Sequence, residues 1–181
     1  MNAILQLFGF GNKSNSKIVD ALYEAIVAAA RQPIFYSSFG VEDTPLGRFE
    51  VLGAHMALVL RVSRNADQRV KDTVQVLTEE FFKDVDHSLR ELGIGDAGVP
   101  KRMKKLVSMF YGRVDSYVSA IDANDRSALA AALERNLTPS GNLRDPDGFA
   151  IYIMGAAKQI EAQVPDEFLK GRLSFSQTKI G

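Results

Sequence analysis

Residues 67–92 read DQRVKDTVQVLTEEFFKDVDHSLREL. Within them Val70, Val74, Leu77, Phe81, Val85, Leu89 and Leu92 recur at steps of three and four, the interval that returns side chains to one face of an α-helix. The stretch predicts an amphipathic helix of roughly 40 Å, closed by Gly93 as a C-terminal cap. A single apolar stripe of that length has to be covered by other elements, and the flanking sequence supplies helices on both sides. Upstream, Ile18, Leu22, Ile26 and Ala29 or Ala30 share a face between Ser16 and Arg31, and Pro33 stops the run. A loop through Phe35, Tyr36 and Phe39 leads to Thr44 and Pro45, a good N-cap followed by the residue best suited to the first helical position. From Val51 to Leu60 the sequence is apolar nearly all round, interrupted by His55. That pattern suits the centre of a bundle and falls well short of the ~20 apolar residues that span a membrane.

Downstream, Pro100 opens a helix through Met103, Leu106, Phe110, Val114, Tyr117 and Ile121. A shorter helix follows Asp125 with Leu129, Leu133 and Leu137, and Asp145-Pro146 caps a last one to about Gln163. No stretch alternates as a strand does. The expectation is an all-α single-domain bundle of about six helices with a central buried helix. A flexible N-terminal arm is expected over 1–16, the helical unit over 17–170 and a tail over 171–181.

Composition agrees and narrows the chemistry. The 181 residues carry 46% hydrophobic and 24% charged side chains, with 22 Lys+Arg against 22 Asp+Glu. This is a globular composition, and the zero balance argues against a dedicated DNA binder. With no cysteine, disulfides, thiolate metal sites and cysteine nucleophiles are excluded. Ile4, Leu5, Leu7, Phe8 and Phe10 make the N-terminus apolar, but no basic residue precedes them and no cleavage site follows, so no secretory signal is expected. That arm reads as weakly docked, or as a short membrane-surface contact helped by Lys13 and Lys17.

Several constellations resemble sites and fail on context. Gly93, Gly95 and Gly98 have the G-x-G-x-x-G spacing of a dinucleotide loop, yet they follow a helix instead of a strand and read as an interhelical turn. Glu80, Asp84, His87 and Glu91 lie on one helix face, but a carboxylate-bridged metal site needs a second such ligand set on another helix; a solvated acidic face is expected. His55 beside Met56 could in principle ligate haem iron, and a hydrogen-bonded core histidine is the plainer reading. Ser140 lies in a loop without a nucleophile motif. The sharpest charge feature is Lys101, Arg102, Lys104, Lys105 and Arg113, with no acid between Asp96 and Asp115. Two readings of it stand: a solvated face partly paired with the acids of 79–86, or a docking face for an acidic protein, ribosomal RNA or anionic lipid.

Two blocks carry a family resemblance. The first is Phe35-Tyr36 with GVEDTPLGRFE over 40–50; the second is DHSLRELGIGD over 86–96, then VPKRMKK over 99–105 and FYGR over 110–113. They resemble the ubiquinol–cytochrome c chaperone family, assembly factors for respiratory complex III, with similarity of pattern from about Lys17 to near Gln163. The resemblance implies a helical protein that is not an enzyme, needs no cofactor or metal, and associates with newly made cytochrome b. It also implies possible contacts with the ribosome or an anionic membrane surface and with a small partner protein. Lacking a long presequence, the chain is expected to be a bacterial member, cytoplasmic and peripheral to the inner membrane. For such a factor the partner-binding candidates are a groove lined by Phe35, Tyr36, Phe39 and Tyr111, with a basic rim of Lys101, Arg102, Lys104, Lys105 and Arg113. Arg48 and Glu50 are expected to form a structural pair. The competing class is a membrane-surface or haem-handling binding protein.

Overall fold

The computed structural model describes residues 13–138 and 143–175, so the expectations for most of the N-terminal arm, for Ser140 and for residues 176–181 lie outside the described residues. The described chain folds into seven α-helices: α1 Lys13–Ala30, α2 Ile34–Ser37, α3 Pro45–Ser63, α4 Gln68–Glu91, α5 Val99–Asp122, α6 Arg126–Leu137 and α7 Pro146–Gln163, followed by a 3₁₀ turn, Phe168–Lys170. Six of them are the expected helices. The seventh, α2, is a single turn within the segment expected to be a loop. It is too short to display a helical period, so no sequence pattern announces it.

Side chains fix the helix starts. Thr44 accepts a hydrogen bond from the Gly47 amide at 3.1 Å, Asp67 from Val70 at 3.0 Å, Asp125 from Ala128 at 2.9 Å and Asp145 from Gly148 at 2.8 Å. Each bond satisfies an amide that the first helical turn leaves without a partner. Gly47 is required where it stands, because a Cβ there would meet the Glu42 carbonyl oxygen at 1.9 Å.

The central helix is α3, buried from Gly53 to Val59 without interruption. It packs against α1, α4, α5, α6 and α7, which is why it is apolar on all sides. Two aromatic clusters fill the spaces around it. Phe35, Phe39, Phe149 and Tyr152 form one, with Phe39 and Phe149 stacked at 5.0 Å between ring centroids. Phe49, Phe81, Phe82 and Phe110 form the other. Packing continues past the 3₁₀ turn: Leu173 is buried, and the Phe175 ring meets His55 edge-on at 5.3 Å.

The α4–α5 junction brings the two parts of the candidate site together. Gly93 adopts φ +78°; its amide donates to Arg90 C=O at 2.9 Å, and the Ile94 amide donates to Leu89 C=O at 3.2 Å. This is a Schellman closure, which turns the chain sharply and satisfies carbonyls at the helix end. Seven residues after Leu92 the basic helix α5 begins.

Candidate functional site

Lys101, Arg102, Lys104 and Lys105 all lie exposed on the first turns of α5; Lys101, Lys104 and Lys105 face away from the Met103, Leu106 and Phe110 stripe, as their spacing requires, and Arg102 flanks it. None of the four makes an ion pair among the described residues. The acids expected to partner them are engaged elsewhere: Glu79 accepts from Gln75, Glu80 pairs with Lys83 at 3.1 Å, Asp84 accepts from Tyr23 of α1, and Asp86 pairs with Arg90 at 2.7 Å. Arg90 also reaches Asp96. The positive end of the α5 dipole adds to four uncompensated cations, so this end of the molecule carries a concentrated positive field.

Arg113 does not belong to that rim. Its guanidinium turns inward, and Nη2 lies 2.8 Å from Oε1 of Glu50, whose side chain is only 3% exposed. Burial pushes the Glu50 carboxyl up to about 7 against the opposing pull of Arg113. Removing one member of a buried pair leaves an uncompensated charge, so Arg113 has a structural role. This also corrects the expected Arg48–Glu50 pair. Two residues apart on α3, those side chains point about 200° apart round the helix axis; Glu50 faces the core, and Arg48 pairs with Asp43 at 2.7 Å.

The aromatic candidates separate in the same way. Phe35 is 0% and Phe39 4% exposed. Both are packed in the α2–α7 aromatic cluster, so they cannot line an open groove in this fold. Tyr111 is 46% exposed, with its ring against Phe110 and Phe82. Tyr36 is half-buried; its hydroxyl reaches the Ala30 carbonyl at 3.4 Å, and its side chain lines a groove of about 680 Å³ between α1, the start of α3, the end of α4 and Leu106 of α5. That groove is chiefly aliphatic, with Leu46, Phe49, Leu52, Leu89, Leu92 and Leu106 along it. Leu46 and Leu92 were missed as site residues. Leu92 looks like the last member of the buried α4 stripe, but it is the C-cap of that helix and 56% exposed.

His55 is a core histidine. With 0% of its surface exposed, Nδ1 lies 2.8 Å from the Val51 carbonyl and Nε2 lies 2.7 Å from the Tyr152 hydroxyl. A carbonyl can only accept, so Nδ1 carries the proton and Nε2 accepts from Tyr152. Burial lowers its pKa to about 4, which keeps it neutral and leaves no free ring nitrogen for a haem iron. On the acidic face of α4, Asp84 accepts from Tyr23 at 2.8 Å, and His87 Nε2 lies 3.2 Å from Glu91. No group of three or more metal-ligating side chains occurs among the described residues.

Comparison with known proteins agrees with this architecture. The family described as ubiquinol–cytochrome C chaperone matches residues 37–175, most of the chain. The crystal structure of the Cbp3 homolog from Brucella abortus is similar with a TM-score of 0.84 and 49% sequence identity, covering 96% of this chain and 97% of that one. No curated protein sequence matches.

Proposed function

This chain belongs to the ubiquinol–cytochrome c chaperone family, and from that premise we propose that it is a non-catalytic assembly factor that binds newly made cytochrome b and supports assembly of the ubiquinol–cytochrome c reductase complex. Cytochrome b is a polytopic helical membrane protein, so its apolar segments need shielding until haem and partner subunits arrive. The observation that carries the reading is the family match over the helical unit, reinforced by the 49% identity to the Cbp3 homolog. No helix among the described residues is long and apolar enough to cross a membrane, which suits a factor that works at the membrane surface. We place it at the cytoplasmic face of a bacterial inner membrane. Lys101, Arg102, Lys104 and Lys105 form the docking face, whether toward the client, the ribosome, anionic lipid or a small partner protein.

The test is an affinity pull-down of tagged protein from native membranes, comparing wild type with Lys101/Arg102/Lys104/Lys105→Glu and scoring cytochrome b, ribosomal proteins and lipids by mass spectrometry. Enrichment of cytochrome b with wild type and its loss on charge reversal is the expected result. Retention by both proteins would keep the client and remove the docking face. Absence of cytochrome b from both would overturn the reading, and recovery of anionic lipid alone would replace it with membrane-surface binding.

A further inference from the structure

Lys101, Lys104, Ser108 and Tyr111 step by three and four along α5, with Lys105 and Gly112 beside them, and all six are exposed. They share the outer side of one helix over roughly 16 Å. No acid falls between Asp96 and Asp115, and these two acids are held by Arg90 and Arg64. The face is open: neither the aliphatic groove nor the polar hollow beside Arg61 includes any of the six residues. A Cβ built at Gly112 would meet nothing within 4 Å, so no side chain stands over that end of it.

Three kinds of partner bring negative charge to such a face, and the side chains distinguish them. Single-stranded RNA is held by bases stacked on aromatic rings, but the ring of Tyr111 is packed on Phe110 at 5.2 Å and beside Phe82 at 6.3 Å. An acidic protein site favours arginine, whose planar fork fixes two carboxylate oxygens at once. Here the centre of the face is lysine, and Arg102 stands at its flank. Lysines are point charges on flexible apolar stems, which suit a layer of phosphates that shift sideways and need no fixed complement.

Tyr111 fits the same partner. It is 46% exposed, its ring rests on protein, and its hydroxyl makes no hydrogen bond among the described residues. A side chain with an apolar body and a wet tip is the kind concentrated where membrane meets water. Resting on the docking face proposed above, we infer that this side of α5 seats on anionic phospholipid headgroups, Lys101, Lys104 and Lys105 meeting the phosphates and Tyr111 entering the interfacial layer.

The test is co-sedimentation of the full chain with phosphatidylcholine vesicles, plain or carrying about 30% phosphatidylglycerol, a composition that supplies the negative surface potential. Only the anionic vesicles should bind, and an ionic strength raised about tenfold should release the protein. Lys101/Lys104/Lys105→Gln should weaken binding by about a hundredfold, at about fivefold for each lysine. Circular dichroism should show this variant as helical as wild type. The chain has no tryptophan, so Tyr111→Trp places a single reporter on the face, and its emission should shift to the blue on anionic vesicles. Ile151→Trp, at a position 56% exposed on α7, should show no shift.

Equal binding to plain vesicles, unchanged binding by the lysine variant, or no blue shift for the Tyr111→Trp protein would each overturn the assignment. Tighter binding to polyuridylate or to a glutamate-rich peptide than to anionic vesicles would give the face to RNA or to a protein and overturn it as well. The two readings fail separately. Vesicle binding that needs the lysines, with no cytochrome b in the pull-down, keeps the lipid face and removes the client. Cytochrome b recovered by wild type and lost on charge reversal, without vesicle binding, keeps the docking face and gives it to the client.

Discussion

Glu50 and His55 stand five residues apart on one buried helix, and burial moves their pKa values in opposite directions. His55 is lowered from 6.5 to about 4, so the fold prefers its neutral form. Its contribution is complete above pH 6.5 and is lost as pH falls toward 4, on the order of 3 kcal/mol across the whole window. Glu50 is raised from 4.5 to about 7, so the fold prefers its protonated form. That contribution is complete below pH 4.5 and is lost as pH rises through 7. The two slopes oppose each other in the mildly acidic range. His55→Gln should leave a protein that gains stability from pH 8 to pH 5, and Glu50→Gln one that loses it, as read from urea midpoints at each pH; parallel profiles for the two variants would refute the assignment. The core position of His55 could be read from its apolar neighbours. Its partner Tyr152, 97 residues away in sequence, could not, because no local pattern encodes which helices meet. The Glu50–Arg113 pair escaped for the same reason: charge proximity in sequence favoured Arg48, while helical phase sends Arg48 to the other side.

At the scale of elements, each long helix announces itself through its stripe and its ends. Thr44-Pro45, Asp67, Asp125 and Asp145-Pro146 act as N-terminal signals because a short oxygen-bearing side chain can bond back to the third amide after it. The α2 turn has no such signal, and its aromatic residues read as loop residues until tertiary packing fills the core with them. Gly93 was legible as a helix stop, and its geometry gives a measurable consequence. A Cβ at this position would meet nothing within 4 Å, so Gly93→Ala carries only the conformational cost of a left-handed backbone. That is about 1 kcal/mol, visible as a lowered urea midpoint with an unchanged slope. Gly93→Asn should recover part of it, since asparagine tolerates this region. Gly47→Ala is expected to be far more damaging, because its Cβ would collide with the Glu42 carbonyl and force apart the start of α3.

Over the whole molecule the sequence reading holds for fold class and family and divides at the surface. The basic cluster over 101–105 was legible because side chains without nearby acids in sequence stayed without them in space, Arg113 with its buried Glu50 being the exception. The groove was not, since its walls come from five helices and its two exposed leucines carry the same pattern as buried ones. The surface that emerges has a charged part and an apolar part joined by the tight turn at Gly93.

That turn has a kinetic consequence. A field from uncompensated cations acts over distance and weakens as salt shortens its range, so it governs how fast an acidic partner arrives. Aliphatic contact begins only on touching and governs how long the partner stays. Stopped-flow mixing with a glutamate-rich helical peptide should show association slowed by about tenfold higher ionic strength, with dissociation little changed. Leu92→Asp should do the reverse, hastening dissociation and leaving association nearly intact. With the two parts separated by this turn, recruitment and release would be separately adjustable: a competitor for the leucines would free a bound partner without weakening the attraction that draws in the next one.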